Sequence, residues 1–268
     1  MTILQVESGV PIDGRGFNLS GLLFASSYYR STKLFSANFY DGSVIFAGTG
    51  FTYDSEGFPS GGTVRSYGAY DEYGLVGFYD KINLPVAVMV DAALSPGTGD
   101  DLSLYRRMFA SNDIIRGADQ DDYIQGFSGD DVLKGGVGWD TIRGDAGDDT
   151  IDGGSWNDTL TGGSGRDRFV FSSAVVRANS DRIVDFIPKD DTIALDNAKM
   201  KALGNVWSKE MFYKSAAGLA HDPNDRIVYE TDTGSLRYDA DGAGPGGAVL
   251  LATLKTAPNV TWWDFVIV

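Results

Sequence analysis

Apolar and polar residues follow two different rhythms along this chain. In the first part they alternate in short runs, such as Ser43-Val44-Ile45-Phe46-Ala47 and Thr63-Val64-Arg65-Ser66-Tyr67, separated by glycine-rich turns. That spacing predicts a small antiparallel β unit within residues 1–107. From Pro85 the pattern lengthens: Val86 to Leu94 and Asp101 to Phe109 predict short helices, the second opened by Asp101 at its N-cap. This second helix is expected to act as a lid on the first nonapeptide row.

From Met108 the period becomes nine. A first, degenerate row, MFASNDIIR, is followed by GADQDDYIQ, GFSGDDVLK, GGVGWDTIR, GDAGDDTID, GGSWNDTLT and GGSGRDRFV. One column is aspartate in every row: Asp113, Asp122, Asp131, Asp140, Asp149, Asp158 and Asp167. Two residues later stands a large apolar side chain each time: Ile115, Ile124, Leu133, Ile142, Ile151, Leu160 and Phe169.

A glycine-rich half followed by an x-apolar-x half predicts a tight turn and a very short strand, with two units closing one coil. The apolar residue should point inward, with its Thr, Lys, Arg and Asp neighbours pointing outward. A core one side chain thick cannot hold such a coil by itself. Aspartates eighteen residues apart should stack on one edge, as 113, 131, 149, 167 and as 122, 140, 158. Carboxylates stacked at about 4.8 Å repel unless a cation lies between them. Calcium suits the place, because it accepts carboxylates and backbone carbonyls together in irregular geometry.

Composition fits this expectation. The chain has 268 residues, 37 Asp+Glu against 22 Lys+Arg, and a net charge of -15. Counting gaps in the two series gives about five calcium ions, which would offset ten of the fifteen excess negative charges. The acidic balance excludes nucleic acid as a natural partner, since phosphate binding needs a basic face. With no cysteine there is no disulfide and no thiolate site.

The rows resemble the RTX nonapeptide G-G-x-G-x-D-x-U-x, most closely at Gly135 to Ile142 and Gly144 to Ile151. Departures are Ala118, Phe127 and Asp145 at the second position, and Ser111, Gln120 and Trp156 at the fourth. The resemblance implies a mainly β fold: a right-handed parallel β-roll over 108–170, between a β-rich N-terminal domain (1–107) and a C-terminal β cap (171–268). Asp167-Arg168-Phe169-Val170-Phe171, then Asp181 to Phe186 and Asp190 to Leu195, is similar to the cap that closes RTX rolls. By that similarity Asp185 and Asp191 hold a further calcium. The segments Arg226–Glu230, Gly234–Gly242 and Val249–Leu254 read as a strand meander.

The resemblance also implies a secreted, extracellular protein. The N-terminus has no basic start, apolar run and small-residue cleavage site of a Sec signal, and no run approaches about 18 apolar residues. The terminal Asp264-Phe265-Val266-Ile267-Val268 is similar to the end of type I secretion passengers, which makes that export machinery an expected partner.

Catalytic motifs are missing: there is no H-E-x-x-H, no G-x-S-x-G and no phosphate-binding loop. His221 is the single histidine and reads as a surface or cap residue. Asp71 and Glu72 form a carboxylate pair of the glycosidase type, but read as solvated turn residues. The expectation is therefore a non-enzymatic calcium-binding protein acting in adhesion, matrix or host interaction. The alternative is a carbohydrate-binding module or small hydrolase in the N-terminal domain, with Tyr28, Tyr29, Tyr40, Tyr67, Tyr70, Tyr73 and Tyr79 stacking on a surface polysaccharide.

Overall fold

The computed structural model describes residues 3–5, 27–30, 34–38, 42–53, 59–71, 74–80, 84–85 and 109–268 apart from 118. In the first part the strands are β1 (Ile3–Gln5), β2 (Ser27–Arg30), β3 (Leu34–Asn38), β4 (Gly42–Tyr53), β5 (Pro59–Asp71), β6 (Gly74–Asp80) and β7 (Leu84–Pro85). They pair antiparallel in the order β2-β3-β4-β5-β6-β1, with β7 also on β5. The alternating runs at 43–47 and 63–67 fall on the long β4 and β5, as their period of two requires. The two expected helices lie outside the described residues up to Phe109, which sits in a turn, buried, and stacks on Phe127 with ring centroids 6.3 Å apart.

The nonapeptide rows fold into β8 (Ile114–Arg116), β9 (Tyr123–Gln125), β10 (Val132–Val137), β11 (Thr141–Ala146), β12 (Thr150–Ser155), β13 (Thr159–Ser164) and β14 (Arg168–Phe171). Alternate strands belong to opposite sheets, so the chain winds as a parallel roll. On one side β8, β10, β12 and β14 pair in parallel, with Leu133 beside Ile151; on the other β9, β11 and β13 do so, with Ile142 beside Leu160. The step between partners is eighteen residues, two rows per coil. Every residue of the apolar column is buried, none more than 2% exposed.

Neither sheet stops at the row that ends the repeat. β15 (Asp181–Ile183) adds to β13, and β16 (Thr192–Leu195) adds to β14. Here the step lengthens, because Leu160 meets Ile183 and Phe169 meets Ile193. The extra residues lie in the loops 172–180 and 184–191, which leave the stacking of Ile183 and Ile193 on the core intact. Beyond these come β17 (Phe212–Ser215), β18 (Ile227–Glu230), β19 (Ser235–Tyr238), β20 (Val249–Leu254) and β21 (Phe265–Ile267). β18, β19 and β20 make the expected antiparallel meander, and β20 joins the roll through β15 while β21 joins it through β16. At the other end β1 pairs with β8 in parallel and with β6 antiparallel, so the N-terminal strands share a sheet with the roll.

One outward-facing expectation fails. Asp152, beside the apolar column, is buried: Ser172 donates to its carboxylate at 2.7 Å and Lys134 lies 3.9 Å away. The first residues of the 172–180 loop cover that position, which the nine-residue pattern could not foresee.

Candidate calcium-binding edges

Each turn ends on the aspartate column, and each of these aspartates is almost wholly buried. Their carboxylates form two hydrogen-bonded ladders. In the first, the backbone N–H of Asp113 donates to Asp131 Oδ1 (2.7 Å), Asp131 to Asp149 (2.8 Å), Asp149 to Asp167 (3.1 Å), and Asp167 to Asp191 (3.0 Å). In the second, Asp122 donates to Asp140 (2.8 Å), Asp140 to Asp158 (2.9 Å), and Asp158 to Asp181 (3.1 Å). The structure thus stacks the predicted aspartates as two series, and it continues both beyond the repeat.

In Asp131, Asp140, Asp149, Asp158 and Asp167 one carboxylate oxygen is used in this way and the other is left over. Among the described residues, Oδ2 of Asp131, Asp140, Asp149, Asp158 and Asp167 is buried without any hydrogen-bond partner. A buried, unpaired carboxylate oxygen is costly, and five repeated at equivalent places call for a ligand. The glycine that opens each row shows what surrounds them. A Cβ on Gly135 would lie 2.0 Å from Asp140 Oδ2 and 2.3 Å from the carbonyl oxygen of Gly153, one coil further on. Gly144 repeats this with Asp149 Oδ2 at 2.1 Å and the Gly162 carbonyl at 2.6 Å. Carboxylate and carbonyl oxygens therefore converge on one spot from adjacent coils, which is the donor set that calcium takes.

Electrostatics point the same way. Burial pushes Asp131 up to about 8, Asp140 and Asp167 to about 7, and Asp149 and Asp158 to about 6, with neighbouring carboxylates adding to the rise. The residues present fit a divalent cation: negative charge is concentrated and dehydrated, and among the described residues no lysine or arginine pairs with Asp131, Asp140, Asp149, Asp158 or Asp167.

Two residues at the end of the ladders separate what sequence could find from what it missed. Asp191 takes its place as the last rung above Asp167, and its other oxygen accepts the N–H of Ile187 at 2.8 Å. Asp185 lies off both ladders: its two oxygens accept the N–H groups of Gly162 and Gly163, each at 2.9 Å. It is near enough to add to the raised values of Asp167 and Asp191. Asp181 was missed. It is the rung above Asp158, and burial together with the Asp158 carboxylate pushes it up to about 8. Its only sequence signal was the Asp-x-Ile spacing shared with the rows, at a step of 23 that breaks the period.

A second, outer ladder stands one residue before the first. Asn112 accepts the N–H of Asp130 (3.0 Å), Asp130 that of Asp148 (2.9 Å), and Asp148 that of Arg166 (2.9 Å), with the Arg166 guanidinium also on Asp148. On the other edge Asp121 accepts the N–H of Trp139 (2.8 Å) and Asn157 that of Ser180 (2.8 Å). At the departures from the repeat the backbone holds its course: Phe127, Asp145 and Trp156 take φ of 69°, 73° and 86°, the region glycine favours. The Trp156 Cβ does not prevent its turn.

His221 stacks on Tyr213 (4.7 Å) and forms a small group with Asp222 and Asp225, away from both ladders. The side chains of the N-terminal tyrosines and of Asp71 and Glu72 lie outside the described residues. Among the described residues no helix is long and apolar enough to cross a membrane.

Residues 109–138 and 134–169 match the family described as RTX calcium-binding nonapeptide repeat (4 copies). Among solved structures, the chain is similar to the solution structure of the AlgE6R2 subunit of the Azotobacter vinelandii mannuronan C5-epimerase, with 24% identity over 57% of this chain and 91% of that one (TM-score 0.36). It is also similar to the AlgE6R3 subunit of the same enzyme, with 22% identity over 58% and 78% (TM-score 0.26). No curated protein matches. The stretch 109–169, with its paired sheets, buried apolar column and aspartate ladders, is a β-roll of RTX calcium-binding nonapeptide repeats.

Proposed function

We propose that this is a secreted, non-enzymatic calcium-binding protein, exported by a type I secretion system and folded by calcium outside the cell, where it serves adhesion, matrix formation or host interaction. The observation that carries the reading is the set of five buried, unpaired Oδ2 atoms on Asp131, Asp140, Asp149, Asp158 and Asp167. These carboxylates, with Asp113 and Asp122 at the start of the ladders, hold the ligand oxygens; the row-opening glycines bring carbonyls to them. Asp181 and Asp191 supply the closing rungs, and Asp185 fixes the last turn by gripping the Gly162 and Gly163 N–H groups. Bound calcium supplies the positive charge that lets stacked carboxylates remain ionised. Without it, the carboxylates repel and chain entropy opposes closure of a core one side chain thick.

Extracellular modules bind calcium with Kd of roughly 10⁻⁴ to 10⁻³ M, so the roll stays unfolded at cytosolic calcium and folds beyond the cell. That order suits a channel that threads unfolded chains. The ladders have seven inter-coil steps rather than five, four ending at Asp191 and three at Asp181. Calcium titration of the full chain by circular dichroism and calorimetry tests this. Strand signal should rise sharply on adding calcium, and Asp181→Ala should take up fewer ions than the parent. A roll fully ordered in chelator, with no calcium uptake, would sink the proposal; unchanged stoichiometry in Asp181→Ala would remove that residue from it.

A further inference from the structure

The turns before β9, β11 and β13 stack along one edge of the roll, and this edge carries two large apolar side chains that the core does not use. Trp139 is 56% exposed and Trp156 51%. The indoles meet at 5.5 Å between centroids with their planes at 64°, an open corner rather than a flat stack. Among the described residues neither indole N–H has a protein acceptor. Trp156 also stands where the rows around it carry Gly138, Gly147 and Gly165, and it holds a φ of 86° there. A tryptophan in a left-handed turn position, contributing nothing to the core, disfavours folding; such strain is retained where the side chain has another use.

We propose that the Trp139–Trp156 corner is a binding site for a neutral polysaccharide built of hexopyranose rings. A pyranose offers a face of C–H groups that stacks on an indole and a girdle of hydroxyls that needs hydrogen-bond partners. The corner has both parts: the two ring faces, and a polar rim of Asp121, Gln120 and Asn157, all exposed. The three turns, 119–121, 135–139 and 153–157, contain no lysine or arginine. That composition disfavours an anionic lipid surface or an acidic glycan, and a second copy would bring the same carboxylates face to face. The site rests on the calcium reading above. Trp139 directly precedes Asp140, Trp156 lies two residues before Asp158, and the two rings meet only when their turns are stacked. Sugar binding is therefore gated by calcium.

The experiment is affinity electrophoresis of the full chain through gels containing a neutral β-glucan, mannan or galactan, in calcium and in chelator, with calcium titrations followed by circular dichroism in parallel. A polyuronate gel and anionic vesicles are the contrasting arms. The parent should be retarded by at least one neutral polysaccharide in calcium and by none in chelator. Trp139→Ala and Trp156→Gly should each bind about tenfold more weakly, the order expected when one stacking face is removed. Trp156→Gly also relieves the turn, so it should fold at no higher calcium than the parent, which separates lost binding from lost folding. A folded roll that no neutral polysaccharide retards, variants retarded as strongly as the parent, or retention only by polyuronate or vesicles would overturn the site. Retardation that persists in chelator would overturn the gating, and a roll that never responds to calcium would instead defeat the calcium reading.

Discussion

Replacing Asp131 by asparagine should move the calcium-free and calcium-bound states of the roll in opposite directions. Asp131 Oδ1 accepts the Asp113 N–H at 2.7 Å, and asparagine keeps that acceptor. Its Oδ2 is buried without a partner, and the Cβ position of Gly126 lies 2.3 Å from it and 2.9 Å from the Gly144 carbonyl. An amide N–H there can donate to a carbonyl, where the carboxylate can only repel one. Burial raises Asp131 from 3.8 to about 8, so ionising it in the folded, calcium-free roll is unfavourable. With screening at this turn edge, that cost is on the order of 1–2 kcal/mol. Asp131→Asn should therefore increase strand signal in chelator at pH 8 and raise the urea midpoint there. In calcium the ordering reverses, because Asp131 faces two inter-coil steps and the variant lacks its charge at both; the calcium midpoint should rise about tenfold or more, in line with ~1.4 kcal/mol per decade. Asp131→Ala is the comparison: it strands the Asp113 N–H, at about 1–3 kcal/mol, and should lose order in both conditions. Circular dichroism of the three proteins against free calcium reads all of this. An asparagine variant less ordered than the parent in chelator, or one with an unchanged calcium midpoint, would refute the reasoning.

Gly135→Ala should raise the calcium midpoint and lower the calcium-bound melting temperature, at about 1–3 kcal/mol for overpacking, because its Cβ meets a backbone carbonyl as well as Asp140 Oδ2; a thermal melt in calcium equal to the parent's would count against the convergence of oxygens there. In chelator, order should fall as pH rises. Asp131, Asp140, Asp149, Asp158, Asp167 and Asp181 are all raised in the fold, so the folded state binds more protons and its stability is lost between 3.8 and about 8. Strand signal that grows with pH in chelator would contradict this, and saturating calcium should flatten the dependence.

What could be read from the sequence is what the nine-residue period repeats. The apolar column and the aspartate column recur in every row, so Leu133, Ile142 and Ile151 could be placed in the core and Asp131, Asp140 and Asp149 on the edges from the period alone. Asp181 escaped because the loop 172–180 adds five residues to its step, which breaks the period while leaving the stacking of Ile183 on Leu160 untouched. The contact of β1 with β8 escaped for another reason: a three-residue strand carries no record of its partner. The outer ladder escaped because its column is mixed, reading Asn112, Asp121, Asp130, Trp139, Asp148, Asn157 and Arg166.

That mixed column supports the proposal that the ions use the inner ladder. In the outer one, a side chain accepts an N–H from the following coil; in the inner one, it accepts an N–H from the preceding coil. Both supply the backbone with an acceptor, and together they stitch each turn from two directions. A backbone N–H needs only an oxygen, and the outer ladder uses asparagine for it at Asn112 and Asn157. Asparagine would serve the inner N–H groups as well. Yet all nine inner positions, from Asp113 to Asp181 and Asp191, are aspartate, although burial and mutual repulsion make the charge expensive there. A hydrogen bond alone does not explain a charge kept at every rung, whereas a cation between rungs does. Asp148, in the outer column, has its carboxylate committed to Arg166 and the neighbouring backbone; Asp149, one residue on, keeps a buried oxygen free for the ion.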